Sequence, residues 1–138
     1  MNFYDTAGQE KFKSLIPMYI RDANIIIIVY DLTNKTSFDH IKQWQKEVND
    51  IKKDKSVIAY IGNKTDLPQK EIKQEEIDLW TSETGCIHLT LSAKTGDGVE
   101  YFFEQLFNEI SNNFDIKGDK AEDLNITEKF DLSKISKR

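Results

Sequence analysis

Two seven-residue runs, NIIIIVY (Asn24 to Tyr30) and SVIAYIG (Ser56 to Gly62), are almost wholly apolar and rich in β-branched residues. A strand with one wet face alternates polar and apolar side chains; these runs do not, so they read as strands of a parallel sheet covered on both faces. Parallel neighbours need a crossover, and the intervening Ser37 to Lys53 supplies one. Its Ile41, Trp44, Val48 and Ile51 recur at alternating spacings of three and four, one face of a helix. IHLTL (Ile87 to Leu91) reads as a third strand, and Asn2 to Tyr4 as the stub of another. Val99, Phe102, Phe103, Leu106, Phe107 and Ile110 mark a second helical face, and Gln74 to Glu83 a shorter helix. Strand and helix in alternation predict an α/β doubly wound fold, a mostly parallel sheet with helices on both faces.

With 138 residues the chain is expected to hold one domain, placed at 1–113. From about Phe114 the pattern lapses into charged and small residues, so 114–138 reads as a flexible tail. Nineteen basic against 24 acidic residues leave a net charge of -5, which argues against nucleic acid as a partner. The single Cys86 cannot form an internal disulfide, and with no charged-then-apolar leader a reducing, cytoplasmic setting is expected. The apolar run from Ile25 to Tyr30 is far too short to cross a bilayer.

Ligands of such folds sit at the carboxyl ends of the strands. There the chain places DTAGQE (Asp5 to Glu10) after the stub, NKTD (Asn63 to Asp66) after the second long strand and SAK (Ser92 to Lys94) after the third. Asp66 presents two carboxylate oxygens that match the paired donors of guanine, whereas adenine would leave it unpaired. A site built around such a hydrogen bond rejects the analogue lacking it by roughly 10⁴-fold or more. The stem of Lys64 can lie on a base plane while its ammonium reaches out, and the Asn63 amide can tie neighbouring loops together. Gly8 lets the backbone approach a terminal phosphate. Asp5 can face Mg²⁺ through a water, since that ion gives up its waters reluctantly. Gln9 can orient an attacking water.

Each segment alone has a plainer reading. NKTD is most often a cap or turn, and SAKTG a loop entering a helix. The case rests on all three occurring in order, each after a strand. His40 and His88 read as isolated, Cys86 as a small core residue, and the Phe cluster of the last helix as core.

From Met1 to about Asn113 the chain resembles the latter part of a small GTPase of the Ras superfamily, Rab branch. DTAGQEKFKSL, IVYDLTNKTSF, GNKTDL and SAKTG carry the resemblance, and SLIPMYIRDA (Ser14 to Ala23) is similar to the Golgi-associated Rab subgroup. The resemblance implies a P-loop NTPase-like fold and regulated GTP hydrolysis in vesicle transport. It implies Gln9 as the catalytic residue and Mg²⁺ held by Asp5 through water. GTP or GDP would be bound by Gly8, Asn63, Lys64, Asp66, Ser92, Ala93 and Lys94. Tyr4 and Tyr19 would belong to the effector surface, although the family usually has Trp where Tyr4 stands. The implied partners of a monomeric switch are an exchange factor, a GTPase-activating protein, effectors and a prenyl-dependent escort, at a Golgi or vesicle membrane reached through a prenylated terminus.

Two departures stand beside these matches. The family's phosphate-binding loop, G-x-x-x-x-G-K-[ST], has no counterpart here, for no Gly-Lys dipeptide occurs. The chain also closes on SKISKR, without a prenylatable cysteine. The expectation is therefore a fold lacking its first strands, first helix and phosphate-binding loop: a fragment of a longer protein or a relative that has lost nucleotide binding, with the intact motifs favouring the fragment. A nucleotide-free interaction module and a Ras-branch signalling GTPase remain as alternatives.

Overall fold

A computed structural model describes residues 4–5, 14–52 and 56–113. In chain order its elements are α1 (Ile16–Asp22), β1 (Ile25–Asp31), α2 (Lys35–Ile51), β2 (Val57–Asn63), α3 (Gln74–Thr84), β3 (Ile87–Thr90) and α4 (Val99–Asn113). The strands make one parallel sheet in the order β1-β2-β3. Asp31 stands opposite Asn63, and Gly62 opposite Thr90. The carboxyl ends of all three strands are thus level at one edge. This is the α/β architecture with helical crossovers that the alternating pattern predicts.

Side chains alternate along a strand, so β2 turns Val57, Ala59 and Ile61 to one face and Ile58 and Tyr60 to the other. Phe102 and Leu106 of α4 close the first face, with Leu91 completing a buried cluster. On the second face Phe38 and Ile41 of α2 meet Ile77 and Trp80 of α3 over Tyr30 and Tyr60. Phe102 of the last helix is therefore core and Phe103 packs against it, and Cys86 packs half-buried against the second cluster.

Local chemistry sets the helix ends. Asn34 caps α2 by accepting the Ser37 N–H at 3.3 Å. At the start of α3, Glu76 accepts the Lys73 N–H at 3.2 Å, and Glu75 beside it suits the positive end of the helix dipole. Gly85 ends α3 in the left-handed conformation at φ 61°.

Three features depart from the sequence reading or lie outside what it can be compared with. The segment Ser14 to Ala23 contains a helix that periodicity does not announce, because seven residues hold only one buried apolar position, Ile20. Pro17 in its first turn is the available signal. Tyr4 lies outside any strand, and Asn2 and Phe3 fall outside the described residues, as does the segment 114–138. Finally, among the described residues β1 is only partly covered on one face: Tyr30 is buried beneath α2, and on the opposite face Ile25 and Ile27 are half-buried against the α4 cluster, whereas Val29 is 57% exposed.

Candidate functional site

The level strand ends bring two of the three expected loops into direct contact. Asn63, the last residue of β2, accepts two backbone N–H bonds on its side-chain Oδ1: from Ala93 at 3.0 Å and from Lys64 at 2.7 Å. One amide oxygen thus ties the loop after β2 to the loop after β3. The Thr65 N–H reinforces the tie by donating to the Leu91 carbonyl at 3.2 Å. Beneath this junction Gly62 must lack a side chain, since a Cβ there would lie 2.8 Å from Tyr30 Oη.

Asp66 is held from below. Ser92, fully buried, donates its hydroxyl to Asp66 Oδ1 at 2.6 Å, and the Ser92 Oγ itself accepts the Thr95 N–H at 3.2 Å. The Ser92 backbone is fixed as well, donating to the Asp97 carbonyl and accepting from the Gly96 N–H, each at 2.9 Å. The Ser92 hydrogen bond, helped by the charges of Lys94 and Lys64, holds the Asp66 carboxyl below the usual range, so it is ionised at neutral pH. An ionised carboxylate oxygen has two lone pairs, so accepting from Ser92 leaves both oxygens able to accept again. Lys94, 80% exposed and 3.9 Å from Oδ2, adds little to a pair so open to water.

Lys64 differs from expectation. Its ammonium does not reach out but is tied to Asp31 Oδ2 at the end of β1, at 2.5 Å. Opposite charges on neighbouring strand ends, with the Asp31 side chain largely shielded, make that the favoured rotamer. Asp31 in turn accepts the Thr33 N–H at 2.8 Å and the Thr33 hydroxyl at 2.7 Å, both on Oδ1. Burial pushes the Asp31 carboxyl up, but the hydrogen bonds from Lys64 and Thr33 outweigh it and leave the pKa lowered. Nothing in the motif reading singles out Asp31. The available signal is the D-x-T spacing after a strand, which makes an Asp a local turn acceptor.

A comparison with protein families matches residues 1–112 to the Ras family. The chain belongs to the Ras family. It is 35% identical over 115 residues to the ras-related protein Rab-5B of Dictyostelium discoideum, an alignment that covers 83% of this chain and 54% of that protein. It is 39% identical over 111 residues to the Ras-related protein Rab-37 of Homo sapiens, covering 80% of this chain and 50% of that one. The chain spans about half the length of these curated relatives.

Of the residues that Ras-family resemblance nominates, the structure brings Asn63, Lys64, Asp66, Ser92, Ala93 and Lys94 together at one edge of the sheet. Gly8 and Gln9 lie outside the described residues. Tyr4, 66% exposed, meets Tyr19 in a tilted pair with ring centroids 5.0 Å apart and planes 30° to one another. Asp5 is exposed beside it. Among the described residues no group of three or more His, Cys, Asp or Glu gathers to hold a metal. Mg²⁺ asks for less, one or two carboxylates with waters and substrate phosphates, so a single Asp5 fits it. His88 is not isolated: its Nε2 lies 2.8 Å from Tyr30 Oη, and the two rings stack at 5.8 Å. A 270 Å³ cleft between α3 and β3, walled by Asp78, Thr81, Cys86 and His88, includes none of the loop residues. No helix of the described residues is long and apolar enough to cross a membrane.

Proposed function

We propose that this chain carries the base-reading part of a Rab-type switch that binds and hydrolyses GTP in intracellular vesicle transport. One observation carries the reading: an ionised Asp66, pinned by a buried serine, shares the strand-end loops with Lys64 and an asparagine-tied backbone N–H. Two fixed acceptor oxygens suit the donor pair of guanine. Asn63 keeps the Ala93 loop at its place above the strand ends, and Ser92 keeps Asp66 at its own.

The remaining roles follow the same reading. Gly8 would donate its N–H to the terminal phosphate, and Gln9 would orient the attacking water. Asp5 would hold Mg²⁺ through a water, the ion supplying charge neutralisation at the phosphates. The exposed Tyr4 and half-buried Tyr19 offer effectors an aromatic pair, and an exchange factor and a GTPase-activating protein would set the state of a monomer. The place of action is the cytoplasm and, in a lipidated form, the surface of Golgi or vesicle membranes.

The test is nuclear magnetic resonance of the 138-residue chain titrated with GDP or ADP in the presence of Mg²⁺. GDP is expected to shift the amide signals of Asn63, Lys64, Asp66 and Ala93, and ADP to leave them in place. Equal shifts with the two nucleotides would remove Asp66 as a reader of the base. A second reading, an interaction module that needs no nucleotide, is favoured by the Tyr4–Tyr19 pair. An effector that binds equally well with and without GDP would select it.

A further inference from the structure

Among the described residues Lys64 is the only residue other than glycine in the left-handed region, at φ 72°. That conformation brings Cβ close to the following carbonyl and is disfavoured for a side chain of this size. A lysine persists there only if its surroundings hold it, and here it is held at both ends. Its N–H is bound by Asn63 Oδ1 at the end of β2, and its ammonium by Asp31 Oδ2 at the end of β1. Between these anchors the four-carbon stem spans the ends of two adjacent strands, in the loop that carries Asp66 two residues on.

Asp31 is itself rigid. The Thr33 N–H and hydroxyl occupy its other oxygen, and its own N–H donates to Ser37 Oγ at 3.0 Å. The register that sets Asp31 opposite Asn63 joins the two strand ends, and the Leu32 N–H donates to the Asn63 carbonyl at 3.1 Å. A lysine without its counter-ion would sample many rotamers, few of which lay the stem across the strand ends.

We propose that Asp31 is the positioning residue of the base site: its carboxylate latches the Lys64 ammonium, so that the lysine stem is a ready rest for a planar base before any ligand arrives. The proposal rests on the base-reading role of Asp66 given above. Asp31 touches no ligand. It acts by raising the fraction of chains in which Lys64 is already placed, and apparent affinity scales with that fraction. It should set the strength of guanine binding without setting the choice of base, which falls to Asp66.

The experiment compares the full 138-residue chain with Asp31→Asn, Lys64→Met and the double variant. Asn keeps an oxygen for the Thr33 bonds while losing the charge, so the turn is retained. GDP affinity and the ratio of GDP to xanthosine diphosphate affinity are measured by titration, and the Lys64 ammonium is followed by its own nitrogen signal. Asp31→Asn is expected to weaken GDP binding about three- to tenfold, the fall in the population of the held rotamer. The GDP to xanthosine diphosphate ratio should stay unchanged, and the slowly exchanging Lys64 ammonium signal should be lost. In the Lys64→Met background the Asp31 substitution should have no further effect. A loss that is as large with Lys64→Met present would mean that Asp31 only supports the loop, and would overturn the latch. An unchanged ammonium signal in Asp31→Asn would overturn it as well. Should the unaltered chain show no guanine preference, the base-reading role of Asp66 fails, and the ammonium signal alone then decides whether Asp31 holds Lys64.

Discussion

The two faces of the sheet are built from different materials. Under α4 the buried cluster is Val57, Ala59, Ile61, Leu91, Phe102 and Leu106, without a polar side-chain atom among them. Under α2 and α3 the cluster includes Tyr30, Tyr60 and Trp80, with His88 and Cys86 at its margin. The first face only packs. The second embeds groups that hydrogen-bond and titrate directly below the loops, because Tyr30 precedes Asp31 and Gly62 precedes Asn63. Disturbing the first should cost stability alone; disturbing the second should also reach the site.

The sharpest contrast comes from the all-carbon face. Leu106 is fully buried, so Leu106→Ala removes its packing and leaves a cavity, at a cost of about 2–5 kcal/mol. Chemical denaturation should show that loss, and the loss should be the same at pH 5.5 and 7.5. If the loss instead varied with pH, the two faces would not be separable in this way.

Gly62→Ala tests the other face. The added Cβ would fall 2.8 Å from Tyr30 Oη and 3.1 Å from Leu32 Cδ2, an overpacking that costs about 1–3 kcal/mol. Since Asn63 follows directly, amide signals at Asn63, Lys64 and Ala93 should move as well. Leu106→Ala should leave those signals in place.

The smallest expected effect is protonic. Burial pushes the His88 imidazole below its ordinary pKa, with Asp78 pulling partly back, while Tyr30 and Trp80 flank the ring. The folded protein therefore binds this proton less readily than the unfolded chain. The stability His88 contributes is complete above the ordinary histidine value of about 6.5 and is lost as pH falls below it through the lowered folded value. Denaturation midpoints at pH 7.5 and 5.5 should differ more for the unaltered chain than for His88→Phe. An equal difference would leave His88 outside the pH response.

The same contrast governs how much the sequence discloses. The α4 face was legible because Val99, Phe102, Leu106 and Ile110 repeat at helical spacing, and burial of an apolar stripe is what such spacing encodes. The strands were legible for a related reason, as continuous apolar runs. The loop motifs named Asn63, Asp66, Ser92 and Ala93, and the structure sets them within contact of one another. What stayed hidden are pairings that only register creates. Asp31 and Lys64 are 33 positions apart and Tyr30 and His88 are 58 apart, and neither pair meets until β1, β2 and β3 align. The short α1 escaped for want of length, since one buried residue makes no period.

The central claim is that Asp66 reads guanine, and the most direct measurement is a competition titration of GDP against xanthosine diphosphate on the unaltered chain and on Asp66→Asn. Asn offers one acceptor and one donor where Asp offers two acceptors, and xanthine carries a carbonyl where guanine carries its amine. The unaltered chain should prefer GDP, and Asp66→Asn should shift the preference toward xanthosine diphosphate. A variant that keeps the original preference for GDP would contradict the claim.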